Sequence, residues 1–272
     1  MLALVTDSTC GLTRNEAAEL RVDVLPMGYA AAGIRHAEGF VGENGDYASA
    51  LSAGGLVTTE AVRPSAFERA FRRHLDAGDE VLCITISSRL SGTHRSAEQA
   101  AEAVADARVT VFDSWETAGA LEFLVRRARA LANAGSSVAQ IVDELTALRA
   151  STRIVFSVPD MSALSRSGRL GAIRRAVATK LNRYPVMALG EGAIVKLADG
   201  RGARGMAAAM ADQVPAGTTE LLVSHFGPRG VEAREVLLAA RERFPEAHLR
   251  VKDGGPVLSK HLGLGAVGLS WA

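Results

Sequence analysis

Aromatic residues are scarce in this chain. Phe, Tyr and Trp make up 5% of its 272 residues, although 48% are hydrophobic. The apolar content is therefore mostly Ala, Val and Leu, as in an ordinary α/β protein and unlike a disordered one. Lysine is nearly missing: Lys180, Lys196, Lys252 and Lys260 are all there is, and arginine carries the positive charge. Net charge is low as well, at +1. No global field draws such a chain to nucleic acid or anionic lipid, so no nucleic-acid partner is expected. Cysteine is limited to Cys10 and Cys83. They form no CxxC pair and stand beside no His cluster, which argues against zinc and against a disulfide framework. A reducing, cytoplasmic location is the expectation. No stretch reaches the roughly 20 apolar residues of a spanning helix. The start, Met1-Leu2-Ala3-Leu4-Val5-Thr6-Asp7, carries no basic leader and reads as a strand instead of a signal peptide. Any lipid handled by this chain has to be shielded inside it or collected from a membrane surface by transient contact.

Short Val- and Ile-rich runs alternate with longer helical patterns. Strands are expected at 2–6, 22–27, 80–86 and 109–113, and helices at 14–20, 47–51, 66–76, 94–105 and 117–134. Continuous apolar strands separated by helices predict a mainly parallel sheet covered on both faces. The pattern changes near Ser151. Residues 153–158 read as a strand. Residues 186–189 and 193–196 flank Gly190-Glu191-Gly192 as a hairpin. Further strands are expected at 221–225 and 248–251, with a helix at 231–243 between them. A chain of this length is comfortable as two domains. The expectation is α/β throughout: residues 1–150 with a parallel sheet, and residues 151–272 with a mixed or antiparallel sheet and helices.

Four polar clusters stand at the ends of apolar strands, where α/β sheets bind ligands. Thr6-Asp7-Ser8-Thr9 follows the first strand and fits either a helix cap or a binding loop. Val57-Thr58-Thr59-Glu60 offers hydroxyl donors in what is otherwise an ordinary turn. Ser87-Ser88-Arg89-Leu90-Ser91-Gly92-Thr93 runs from a buried strand into a helix. Ser91, Gly92 and Thr93 at that helix start can hold a carboxylate or phosphate with unpaired backbone N–H groups. The pattern is not a nucleotide P-loop. Finally, Gly254-Gly255-Pro256-Val257-Leu258-Ser259-Lys260-His261 sets His261 among small and apolar residues at the start of the last helical pattern. A neutral imidazole there donates one hydrogen bond and accepts another. No metal set and no cofactor motif is seen.

In this order the four clusters resemble the DegV family, the lipid-carrying subunits of bacterial fatty acid kinase. Val5-Thr6-Asp7-Ser8-Thr9 is similar to the family's VTDST, and Ser87–Thr93 to its SSxLSGT. Phe112-Asp113-Ser114 matches its FDS, and Ser167-Gly168-Arg169-Leu170 resembles its GGRI with Ser in place of the first Gly. Gly255 to Gly265 resembles GPVIGTHTGPG, with Lys260 and Leu262 replacing the two threonines that flank the His. The resemblance implies two α/β domains around a buried long-chain fatty acid, a non-catalytic binding role, and a fatty acid kinase catalytic subunit as partner.

It also implies that the family's carboxylate-holding Thr, Ser and His fall on Thr59, Ser91 and His261. The family's TSQPSPxxF corresponds to Thr59 through Phe67. A gapped alignment on Pro64-Ser65 would put Ala61 at the Thr position instead. Ser8, Gly92, Thr93, Asp113 and Ser114 are further ligand candidates. Arg169, Arg201 and Arg204 are candidates for partner docking, suggested by the Arg-rich stretch at 165–175. Two rival functions remain open from the residues: a Ser91–His261 acyl-ester hydrolase, against which no GxSxG elbow is present, and a carrier of another small anion.

Overall fold

The computed structural model describes residues 1–53, 56–170 and 182–272. The end of the Arg-rich stretch, residues 171–175, lies outside them. The chain opens with β1 (Leu2–Asp7), a single 3-10 turn at Ser8–Cys10, α1 (Arg14–Glu19) and β2 (Val22–Leu25). Next come β3 (Gly28–Ala31), β4 (Ile34–Ala37), α2 (Tyr47–Ser52) and β5 (Thr58–Glu60). Then follow α3 (Pro64–Asp76), β6 (Glu80–Thr85), α4 (Thr93–Val104), β7 (Val109–Asp113), α5 (Ala118–Asn133) and α6 (Val138–Leu148). From β8 (Arg153–Ser157) the order is α7 (Ser162–Arg166), β9 (Arg183–Gly190), β10 (Ala193–Arg201), α8 (Gly202–Ala211) and β11 (Glu220–His225). It closes with α9 (Val231–Arg243), β12 (His248–Asp253), α10 (Gly255–Leu262) and β13 (Val267–Trp271).

The expected parallel sheet is present, in the order β2-β1-β6-β7. Both of its faces are covered, and its strands show why. Ala3, Val5, Val81 and Cys83 pack toward Phe67 and Phe71 of α3 and Ala97 of α4. Leu4, Leu82 and Ile84 pack toward Leu121 and Leu124 of α5 and Ile141 of α6. Successive side chains of a strand alternate faces, so a continuous apolar run serves two layers. The helices begin where local chemistry dictates. Thr13 and Glu16 close a capping box on α1, Ser137 and Gln140 one on α6, and Pro64 opens α3.

The second sheet is mixed, in the order β10-β9-β8-β13-β11-β12. Only β11 and β12 run parallel among its described pairs. The β9–β10 hairpin turns at Glu191 and Gly192, both with positive φ (47° and 80°), the signature of a type I′ turn. One face of this sheet packs on α8 and α9. The other face, built by Ile154, Phe156, Met187 and Leu189, packs with Ala118 and Ala120 of α5 and Leu258 of α10. Helix α5 also contacts β1, so it is the hinge plate between the two larger sheets.

The structure differs from the sequence reading in three places. A small antiparallel sheet, β4-β3-β5, was not anticipated. Its strands have three or four residues and β4 is exposed throughout, so no period-two pattern marks them. Helix α6 was not anticipated either, although Val138, Ile141, Val142, Leu145 and Leu148 carry a helical spacing along its length. The end of the chain is also different: His261 lies in the last turn of α10, not at the start of a helix, and the apolar residues after it form β13, inserted between β8 and β11.

Candidate functional site

A cavity opens between the inner face of the mixed sheet and the loops that leave β5 and β6. The space free of protein atoms is about 820 Å³ with the mouth included, yet only about 120 Å³ of it admits the centre of a water-sized sphere. It is therefore a narrow slot. Its walls are mostly apolar, with Ile86, Ile154, Phe156, Leu189 and Phe226 among them. Thr59, Ser91, Gly92, Thr117, Arg169 and His261 supply its polar lining.

Thr59 comes from β5, whose pairing with β3 fixes its position opposite Tyr29. Its Oγ1 lies 2.8 Å from His261 Nε2. Helix α10 delivers the imidazole. Burial pushes the His261 pKa down to about 3, and the positive charges of Arg169 and Lys260 add to the effect. The ring is thus neutral, with one nitrogen donating and the other accepting. Its Nδ1 is buried and has no partner among the described residues.

Ser91 closes the β6–α4 loop. Its hydroxyl accepts from the Thr93 backbone N–H at 3.2 Å and lies 3.0 Å from the Thr93 hydroxyl. Gly92 is the cap residue of α4 and provides no side-chain cap of its own. Thr93 is fully buried behind the wall, where its Oγ1 accepts from the Val62 backbone N–H at 3.3 Å. It supports the loop and does not line the cavity. Ala61, the alternative to Thr59 in a gapped alignment, also lines the wall, but the hydroxyl that meets His261 belongs to Thr59.

The other candidates are placed elsewhere. Ser8 donates to the Glu38 carboxylate at 2.5 Å and accepts from the Met27 N–H at 3.0 Å. The Asp113 carboxylate accepts from the N–H groups of Ser88 and Trp115. Ser114 is buried against the Glu116 backbone. None of these three is among the cavity-lining residues. Arg169 does line it: its guanidinium donates to the Leu90 carbonyl at 3.2 Å and is half-buried beside the head of the slot. Arg201 caps the start of α8, and Arg204 borders a groove with Glu235 and Glu242 of α9.

Sequence reasoning missed Glu38 and Tyr47, which hold α10 in place. The Glu38 carboxylate accepts from the Val257 N–H at 2.9 Å as well as from Ser8. Burial, with the nearby Asp7 and Asp253 carboxylates, pushes its pKa up to about 7. Gly255, at φ +81°, leaves room for that carboxylate: a Cβ there would come within 2.5 Å of it. The Tyr47 hydroxyl donates to Asp253 at 2.5 Å and accepts from the Gly227 N–H at 2.9 Å. No local pattern marks a lone Glu or Tyr whose partners lie some 200 residues away.

The Ser91–His261 pair is not formed among the described contacts. His261 Nε2 engages Thr59 and not Ser91, and no carboxylate orients Nδ1 among the described residues. Nor do the described residues contain a group of three His, Cys, Asp or Glu side chains that could hold a metal ion. No described helix is long and apolar enough to cross a membrane.

A family model described as "Uncharacterised protein, DegV family" matches residues 1–272. A DegV domain-containing protein of Halalkalibacterium halodurans is 30% identical over 277 residues, covering 99% of this chain and 98% of that one. One from Deinococcus radiodurans is 31% identical over 278 residues, covering 99% and 97%. Among solved structures, a DegV family protein from Thermus thermophilus, described for its fatty acid binding, superposes with a TM-score of 0.87 at 28% identity, covering 99% of this chain and 98% of that one. DegV from Bacillus subtilis, described as a fatty acid binding protein, superposes with a TM-score of 0.85 at 25% identity, covering 99% and 98%.

Proposed function

The chain belongs to the DegV family, and on that footing we propose that it binds one long-chain fatty acid in the cavity and presents the carboxylate to a separate kinase subunit for acyl-phosphate formation. The observation that carries the reading is the Thr59–His261 pair at one side of a narrow apolar slot, with Ser91 on the same lining. The Thermus and Bacillus relatives, which bind fatty acids, support it.

The physical logic is direct. A tail of about sixteen carbons buried at roughly 0.8 kcal/mol per methylene supplies ample affinity before ordering costs. The head then needs hydrogen bonds, because an unpaired buried carboxylate is expensive. Two hydroxyls meet that need, and a carboxylate beside His261 favours protonation of the imidazole. Arg169 and Lys260 add positive charge near the head. The role is that of a binding subunit: the hydroxyl–imidazole contact in the cavity, Thr59 with His261, holds the head group. Loading involves a brief contact of the mouth with a membrane surface, the source of so apolar a ligand. Arg201 and Arg204, exposed at the start of α8, are the docking candidates for the kinase.

Native mass spectrometry of the purified protein tests the first half. One fatty acid per chain is expected; a bare protein that also fails to bind oleate or palmitate overturns the reading. Covalent labelling of Ser91 by a fluorophosphonate would favour the hydrolase instead. Unchanged kinase turnover by a lipid-loaded Arg201→Glu/Arg204→Glu variant would sink the docking assignment.

A further inference from the structure

The cavity wall is held from behind by buried polar side chains. The wall residues Met27, Ile86 and Val257 each have a backbone N–H met by Ser8, Asp7 or Glu38. The Asp7 carboxylate accepts from Ile86 at 2.7 Å. The Ser8 hydroxyl accepts from Met27 at 3.0 Å and donates to one oxygen of Glu38 at 2.5 Å. The other oxygen of Glu38 accepts from Val257 at 2.9 Å. Glu38 is tied to Met27 a second time, since its own N–H donates to the Met27 carbonyl at 2.8 Å. It is 3% exposed and is not among the cavity-lining residues.

Glu38 therefore joins two walls. Met27 belongs to one. Val257 lies in the first turn of α10, which also brings Leu258, His261 and Leu262 to the cavity. That helix runs only from Gly255 to Leu262, and Gly255 and the cap residue Gly263 have φ of 81° and 89°. Glycine at both ends leaves the backbone free to pivot where a bulkier residue would resist. The placement of α10 thus depends on what grips it from the side.

We propose that Glu38 is a positioning residue of the fatty-acid site: its carboxyl latches α10 to the Met27 wall through Val257 and Ser8, and so sets how firmly His261 and the apolar wall close on a ligand that Glu38 itself does not touch. The inference rests on the fatty-acid reading above and adds a control on affinity from outside the cavity. The latch responds to protons. Burial, with the charges of Asp7 at the end of β1 and Asp253 at the end of β12, pushes the Glu38 pKa up to about 7. Tyr29 of β3 is raised by burial and by the Glu38 charge, and Tyr47 of α2 faces the cluster through its bond to Asp253. Helix α10 itself brings Lys260 and His261, both in its last turn. When α10 lifts and water reaches the carboxyl, its pKa returns toward the ordinary 4.5. A carboxyl whose pKa is higher in the closed form favours closure at low pH, and that support is lost as pH rises through about 7.

Oleate affinity, measured by calorimetry at about pH 6 and about pH 8.5, tests the latch in wild type, Glu38→Gln and Glu38→Ala. The Gln amide stays neutral, accepts from Val257 and donates to Ser8. Ala keeps neither bond. At the lower pH wild type and Glu38→Gln should bind alike, and Glu38→Ala about tenfold more weakly. At the higher pH wild type should fall below Glu38→Gln by several-fold, with about tenfold per pH unit as the ceiling for one proton. Titration of His261 or of the oleate head is common to these two proteins and cancels in their ratio. A side chain that only fills space gives a ratio independent of pH. Such a ratio, or a Glu38→Ala variant that binds as tightly as wild type, overturns the latch and leaves the fatty-acid reading standing. Where Glu38→Ala fails to fold, the comparison of wild type with Glu38→Gln decides alone. Wild type that binds no oleate at either pH sinks the fatty-acid reading itself.

Discussion

Glu122 is buried and His261 half-buried near the junction of the two larger sheets, yet Glu122 is surrounded by cations while the buried Nδ1 of His261 touches nothing polar among the described residues. Glu122, on α5, accepts from Arg126 and Lys252 at 2.8 Å each and contacts Arg250. Glu16, on α1, shares Arg126 and Lys252 at 2.6 Å. This network ties α1 and α5 to β12 and so joins the first half of the chain to the second. The cavity sits at the same junction with Thr117 Oγ1 and His261 Nδ1 unpaired. A buried charge is tolerated where it is matched by others. Among the described buried groups without a partner, only those of Thr117 and His261 belong to residues that line the cavity, while Arg250 Nε, inside the charged network, is also unmatched. The contrast separates residues that hold the halves together from residues that face a guest.

The largest effect comes from breaking the matched side. Glu122→Ala takes the buried carboxylate away from Lys252, Arg126 and Arg250 and leaves Glu16 as the partner of the first two. A loss of about 3–5 kcal/mol in denaturant unfolding is expected, with fatty-acid affinity of the folded fraction unchanged. A variant as stable as wild type would erase the contrast. On the open side, His261→Ala removes a polar group that the unliganded protein does not fully satisfy. Fatty-acid affinity should fall by about 1.5–3 kcal/mol, the range for hydrogen bonds to a charged group. Stability without ligand should hold or rise. A large drop in stability with intact binding would make His261 structural.

The legible part of the molecule follows the same line. The strands of the parallel sheet were readable because continuous runs such as Leu2–Asp7 serve two covered faces. The β9–β10 hairpin was readable from Gly190-Glu191-Gly192. Ser91 and His261 could be singled out because each sits in a local motif, and the structure brings both to one cavity. Glu38, Tyr47 and the Glu122 network were invisible, since each depends on at least one partner more than 100 residues away: Val257, Asp253 and Lys252. Arg169 was assigned to docking from its Arg-rich surroundings, whereas its place on the cavity wall depends on the Leu90 carbonyl of another loop. Thr117 was placed inside the expected helix 117–134, and the structure makes it the cap residue of α5 instead.

Acid separates the two sides further. The His261 pKa falls from 6.5 to about 3 on folding, so the unfolded chain takes that proton first and stability is lost as pH falls through this window. Glu16, lowered from 4.5 to about 2 by its Lys252 and Thr13 hydrogen bonds against a burial effect that opposes them, loses stability in the same direction at lower pH. Glu38 runs the other way. Its pKa rises from 4.5 to about 7, so the cost of burying its charge is relieved as pH falls from 7 to 4.5. Between 6.5 and 4.5 His261 therefore opposes Glu38, and Glu116, whose pKa burial also raises, acts with Glu38. In His261→Phe the opposition is gone, and stability should rise more steeply on acidification across that window than in wild type, by about 1 kcal/mol per pH unit for the lost histidine. A falling profile in the variant would mean that another group sets the acid limit.

The finest test lies within the open side itself. Thr59 is the one described partner of His261, so Thr59→Val leaves both imidazole nitrogens unpaired and buried. Stability of the unliganded protein should drop by about 1 kcal/mol, the opposite sign to His261→Ala. Affinity for a fatty acid should fall by a similar amount, since the head loses one hydroxyl and keeps Ser91. In the double variant the cost of Thr59→Val should vanish, because no imidazole remains to be left unpaired, giving a coupling of about 0.5 kcal/mol or more between two residues in contact. Additive effects would instead place Thr59 and His261 in separate roles, each facing the guest without bearing on the other.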